Sequence, residues 1–275
     1  EKIKGYIQIV KTSKEDNKIT GNKKGDALEG VKFEIYDING DLIQELITDS
    51  KGMAKSKELE KGIYNVKEVE TNEWYLLDNN TYEAEIKNNK QIVTLNIENA
   101  PANPDEKIEK KGPDEAFADD EIQYNISLKN SGNVVLDNFV WEDEIPTDFI
   151  KVNKIKLGTY NQDNSYNLYY KTNFSEDYIL MLEDINTKNS DEIDFSKELS
   201  DNEYITNNKL DFGTVDVGFK SESDTFIFAK VNSNVKSGDV FENKVCLQAD
   251  YKGYNLSKFS NWKTKVYKVL PLTGM

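Results

Sequence analysis

The sequence contains no histidine, and its 35 basic residues are all lysines, so arginine is missing as well. These absences remove the Ser-His-Asp and Cys-His nucleophilic systems, histidine-ligated zinc and the arginine clamps of phosphoryl transfer. A single cysteine, Cys246, excludes a disulfide within the chain and any Cys-X-X-Cys redox or metal motif, leaving a free thiol. No apolar run reaches the ~18 residues of a membrane-spanning helix. The opening residues alternate polar and apolar, so no signal peptide is expected within the sequence. Positive charge is also short: 50 acidic residues leave a formal charge of −15. A phosphate backbone or an anionic membrane surface is repelled by such a chain, and nucleic acid is not an expected partner.

What is present is alternation. Ile7-Gln8-Ile9-Val10-Lys11, Val31-Lys32-Phe33-Glu34-Ile35, Ile92-Val93-Thr94-Leu95-Asn96-Ile97 and Ile122-Gln123-Tyr124-Asn125-Ile126-Ser127-Leu128 all run with period two, the signature of half-buried strands. Asn39-Gly40 predicts a hairpin joining residues 33–36 to 42–46. Asp49-Ser50-Lys51-Gly52 and Glu60-Lys61-Gly62 predict further turns. The best helix candidate is a short one at 196–204. The 275 residues suit about two domains, and two of the five prolines fall within Ala100-Pro101-Ala102-Asn103-Pro104. The expectation is an all-β chain of two tandem immunoglobulin-like β-sandwiches, residues 1–100 and 108–269, with a stiff linker at 101–107 and a terminal motif at 270–275. The halves share no period, so they are two different sandwiches.

Strand parity selects the residues that carry chemistry. Lys11 shares a face with Ile7 and Ile9, Glu68 with Tyr64 and Val66, and Asn99 with Val93, Leu95 and Ile97, so burying the apolar residues turns all three polar ones inward. In the second half the same parity joins Lys110 to Ile108, Asp143 to Phe139 and Trp141, and Asn243 to Val245 and Leu247, and it prefers Lys110 to Lys111. Cys246 falls on the face opposite Asn243. On spacing alone, Lys11 also reads as an edge lysine with its head in solvent, Glu68 as a surface carboxylate, Asn99 as a turn residue and Asp143 as a turn cap. Asp37, Asn39 and Asp41 hint at a calcium loop, but the glycine comes too early and Thr48 stands where an EF-hand has glutamate. No cofactor or metal is expected.

The segments Ile9-Val10-Lys11-Thr12, Leu28-Glu29-Gly30-Val31-Lys32-Phe33-Glu34-Ile35-Tyr36, Gly62-Ile63-Tyr64-Asn65-Val66-Lys67-Glu68-Val69 and Ile97-Glu98-Asn99-Ala100-Pro101 make the first half resemble the Cna B-type, or SpaA-like, domains of Gram-positive surface proteins and pili. Asn72-Glu73-Trp74-Tyr75 departs from the proline-glycine step usual after the glutamate strand. The second half, through Ile108-Glu109-Lys110-Lys111-Gly112-Pro113, Val140-Trp141-Glu142-Asp143-Glu144-Ile145-Pro146 and Glu242-Asn243-Lys244-Val245, resembles the isopeptide-forming Cna A-type domains of fimbrial shafts. The stretch 168–217 between them is long and less diagnostic. Leu270-Pro271-Leu272-Thr273-Gly274 matches the LPxTG sortase motif.

These resemblances imply lysine-to-asparagine isopeptide bonds, Lys11 to Asn99 and Lys110 to Asn243. The chemistry suits the residue types. A lysine attacks a carboxamide only as the free amine, which burial favours, and Glu68 or Asp143 as a carboxylic acid would polarise the amide and relay a proton to the departing ammonia. The implied protein is a structural, non-enzymatic subunit, secreted and anchored to the cell wall. Its implied partners are a sortase, and other pilin subunits or peptidoglycan through Thr273. A YPKN-like motif with the reactive lysine of a shaft subunit is not evident, which favours a minor or basal pilin. The alternative is a wall-anchored adhesin gripping a host surface protein; a polysaccharide-acting enzyme would need paired carboxylates in a cleft.

Overall fold

The computed structural model describes residues 2–268 and divides into two compact units, with the division between Asn103 and Pro104. The first unit holds β1 (Lys4–Ser13), β2 (Lys32–Tyr36), β3 (Leu42–Ile47), β4 (Met53–Lys55), β5 (Leu59–Glu60), β6 (Gly62–Glu70), β7 (Thr81–Ile86) and β8 (Gln91–Asn99). Strand β1 is antiparallel to β4 and β5 and parallel to β8. The facing sheet has the order β3-β2-β6-β7. Ile7, Ile9, Phe33, Ile35, Val66 and Ile97 fill the space between, as the alternation of half-buried and buried residues along β1 requires.

Parallel strands cannot be joined by a hairpin, so the whole unit acts as the connection between its first and last strands. At the β2–β3 turn the Asp37 carboxylate accepts the backbone N–H of Asn39 and of Asp41, and Gly40 takes a φ of 88°. The carboxylate suspected of binding calcium thus serves its own loop.

The second unit holds β9 (Glu106–Lys111), β10 (Glu115–Phe117), β11 (Glu121–Asn130), β12 (Asp137–Glu144), β13 (Ile150–Lys156), β14 (Ser165–Thr172), β15 (Ser175–Asn186), β16 (Glu192–Asp194), β17 (Ile205–Asp211), β18 (Thr225–Val231), β19 (Val240–Tyr251) and β20 (Tyr254–Tyr267). A seven-stranded sheet, β10-β20-β19-β12-β17-β14-β15, faces a five-stranded one, β16-β13-β18-β11-β9. Trp141 is fully buried between them, and Tyr160 packs against Phe212 and Phe219 at centroid distances of 4.9 and 5.1 Å.

Three details differ from the sequence expectation. The helix expected at 196–204 is a single 3₁₀ turn, Phe195–Lys197, because only Phe195 is buried and no apolar stripe continues beyond it. The last strand begins at Tyr254 rather than 263, since residues 254–259 are mostly exposed and the alternation of burial begins only near Ser260. The linker expected at 101–107 is shorter. Ala102 donates its backbone N–H to Trp74, tying it to the first unit, while Glu106 and Lys107 already belong to β9.

Candidate functional site

In the first unit β1 and β8 run in parallel register with Lys11 beside Ile97 and Ser13 beside Asn99. Lys11, Glu68 and Asn99 are all buried. The Lys11 Nζ donates to Asn99 Oδ1 at 2.6 Å and lies 2.6 Å from Glu68 Oε2. Asn99 Nδ2 donates to Glu68 Oε1 at 2.6 Å and to Thr71 Oγ1 at 3.1 Å. Amine, carboxamide and carboxyl therefore close a ring of three contacts, with the Phe33 ring 5.6 Å from the amine. Burial lowers the lysine pKa, and Glu68, Asp78 and Glu98 oppose that shift. Backbone packing sets the lysine's place. Lys11 donates its N–H to the carbonyl of Gly52 at 2.7 Å, and a Cβ at Gly52, whose φ is +70°, would stand 2.3 Å from the Lys11 carbonyl oxygen. A cleft of about 530 Å³, lined in part by Leu76, Asp78, Tyr82, Glu98 and Asn99 itself, adjoins this group.

In the second unit Lys110, on the five-stranded sheet, reaches across the core to Asp143 on the seven-stranded one, with Nζ 2.5 Å from Oδ1. Both side chains are wholly enclosed. Burial lowers the pKa of Lys110 and raises that of Asp143, so each is driven toward its neutral form. Asn243 is fully buried on β19, the strand on which β9 packs. Among the described residues neither of its amide atoms has a hydrogen-bond partner, nor has Asp143 Oδ2. The neighbouring Lys111 instead meets Glu109 at the surface, as parity requires.

Several residues at these sites escaped the sequence reading. The Lys110 amine stands 4.8 Å from the centroid of the Tyr124 ring. Burial raises the Tyr124 pKa while Thr264 and Asn243 beside its hydroxyl oppose this, yet neither meets it in hydrogen-bonding geometry. Gly112 admits that ring, since a Cβ there would approach it to 2.6 Å. Asn208 is fully buried directly opposite Asp143 on β17, and its parity with Leu210 was the available signal. Thr71 and Asp78 lie in a loop whose sequence carries no periodicity. Cys246 is partly exposed. The motif Leu270, Pro271, Leu272, Thr273 and Gly274 lies outside the described residues.

No curated protein matches the chain. Among solved structures, the chain is similar to the major pilin subunit BcpA of Bacillus cereus, with 16% identity, 96% of this chain and 69% of that one covered, and a TM-score of 0.35. It is similar to the major pilin SpaD of Corynebacterium diphtheriae at 18% identity, with 96% and 67% covered and a TM-score of 0.34. The minor pilin GBS52 of Streptococcus agalactiae aligns with 37% of this chain and 46% of its own at 28% identity, with a TM-score of 0.31. Residues 6–101 match the family model SpaA, a prealbumin-like fold domain.

Proposed function

We propose that the chain is a covalently self-locked structural subunit of a sortase-assembled, wall-anchored surface pilus, in a minor or basal position. The observation that carries this reading is the closed ring of Lys11, Glu68 and Asn99 inside a SpaA-matching unit. An amine, a carboxyl and a carboxamide in mutual contact away from water are what a single-turnover transamidation requires.

The Lys11 nitrogen attacks the Asn99 side-chain carbonyl carbon, a C–N bond forms and the bond to Nδ2 breaks. Glu68 takes a proton from the attacking amine and returns one to the departing nitrogen, which leaves as ammonia through the adjoining cleft. Lys110, Asp143 and Asn243 perform the same step in the second unit. The LPxTG motif supplies the carbonyl of Thr273 for transfer by a sortase to an amine of another subunit or of peptidoglycan.

Intact mass under denaturing conditions tests the reading. Each bond removes one ammonia, about 17 Da, so two bonds give about 34 Da. A protein at its full sequence mass would refute it.

A further inference from the structure

Strand β17 runs Ile205-Thr206-Asn207-Asn208-Lys209-Leu210-Asp211, with Asn208 and Leu210 turned into the core. An apolar residue suits position 208. The structure places an asparagine there with neither amide atom hydrogen-bonded among the described residues, a costly arrangement in a core unless the group has work to do. Directly opposite on β12 stands Asp143, and side chains that face each other across an antiparallel pair have Cβ atoms roughly 4.5–5.5 Å apart. Asp143 Oδ1 accepts from the Lys110 amine, and its Oδ2 has no partner among the described residues.

Two buried asparagines thus flank one acid, and their placement separates them. The lysine strand β9 packs on β19 and β20, and Lys110 is held there by donating its backbone N–H to Ser260 of β20 at 2.8 Å. Asn243 on β19 pairs with Trp262 of that same strand β20. Asn243 is therefore on the lysine's side, whereas Asn208 is on the far side of Asp143. We propose that Asn208 is a positioning residue for the Lys110–Asn243 bond: in the reacting arrangement its amide turns to donate an N–H to Asp143 Oδ2, which it faces across β12 and β17, so that the acid presents its other oxygen to Lys110. This rests on the isopeptide reading of the second unit given above.

In that arrangement Asp143 relays the proton between Lys110 Nζ and the Asn243 nitrogen, which leaves as ammonia, and Asn208 is recovered unchanged. Burial raises the acid's pKa, Lys110 from β9 lowers it and Glu144 of its own strand raises it; Tyr124 from β11 and Tyr178 from β15 are the further titratable groups that feel its charge. A donated N–H favours the carboxylate. Without it, the carboxyl stays protonated to higher pH and is free to turn away.

The test follows the unreacted second unit by intact mass and tryptic mapping, in time courses at several pH values, for the whole chain and for Asn208→Leu and Asn208→Ser. Asn208→Leu should fold, keep the first unit's bond as an internal control, and form the Lys110–Asn243 bond at least tenfold more slowly. The alkaline limb of its rate profile should move upward in pH. Asn208→Ser, which retains one donor, should recover part of the rate, and it carries the test alone if the leucine variant fails to fold. Unchanged rates and profiles, or a cross-linked peptide joining Lys110 to Asn208, would overturn the inference. Absence of any second-unit bond in the parent protein would instead overturn the reading on which it rests.

Discussion

Lys11 pairs with Ile97 in the parallel ladder of β1 and β8, and Asn99 follows one step further along the same inward face, its Oδ1 2.6 Å from the lysine amine. The two residues sit at the trailing ends of the first and last strands of the unit. A pull applied at the two ends of this unit runs along β1 to Lys11 and out through Asn99. A covalent bond there would carry the load past every residue between them. In the second unit β20 follows Asn243 in the chain, so a Lys110–Asn243 bond leaves that strand to hold by its pairing with β19 and β10.

The acid's role predicts a selective defect. Glu68→Gln keeps the volume and the hydrogen-bonding reach of the side chain but cannot relay a proton. The folded variant should weigh about 16 Da more than the parent, the ~17 Da of retained ammonia less the ~1 Da lost in changing Glu to Gln, with the deficit of the second unit intact. Tryptic mapping should find Lys11 and Asn99 on separate peptides; finding them still joined would remove Glu68 from the reaction.

Cross-link loss predicts a large change in stability. Closing a loop from residue 11 to residue 99 removes denatured-chain entropy of roughly 4–5 kcal/mol, by analogy with a disulfide of that span. Lys11→Ala should lower the melting temperature of the first unit by roughly 15 °C or more and open it to trypsin. Reductant should leave the parent unaffected. A variant that melts and digests like the parent would make Lys11 an ordinary core lysine.

Parity made much of both sites legible, for a physical reason. Lys11 and Lys110 lie on strands with one face in the core, and such a strand must bury every second residue whatever its type. What stayed hidden lies where that rule weakens. The first part of β20, residues 254–259, is mostly exposed, so its register there comes from pairing with β19 and leaves no periodic trace. Strand β17 joins the sheet between β12 and β14, partners distant in sequence, and Asn208 gains meaning only once it stands opposite Asp143. Thr71 and Asp78 reach the first site from a loop, where the backbone path, not alternation, directs the side chain.

The terminal motif predicts export chemistry. Pro271 restricts its own backbone and has no N–H to give to a central strand, which suits the sequence around it to a protease-like cleft. Given a few residues after Gly274 and a simple amine, a sortase of the same cell should join Thr273 to the amine and release the fragment beginning at Gly274. Thr273→Ala and Pro271→Ala should each abolish the product while both units stay folded. Failure of every sortase of that cell to process the parent would end the wall-anchoring reading.

Glu106 predicts a pH dependence that the isopeptide chemistry does not. It lies on the inward face of β9 with Ile108 and Lys110, and neither carboxylate oxygen has a hydrogen-bond partner among the described residues. Burial pushes its pKa up to about 8, with Lys258 pulling it down and Asp105 pushing it further up. In the unfolded chain the group titrates near 4.5. Between those values the folded state keeps a proton that the unfolded state has lost, so this group's contribution to stability is full below pH 4.5 and declines until the folded carboxyl ionises near pH 8. The total loss is on the order of 3–5 kcal/mol. Melting of the second unit should therefore fall steadily from about pH 5 to about pH 8.5, and Glu106→Gln, which cannot ionise, should flatten that slope. Parallel curves for parent and variant would show that Glu106 is hydrated and ionised like a surface carboxylate.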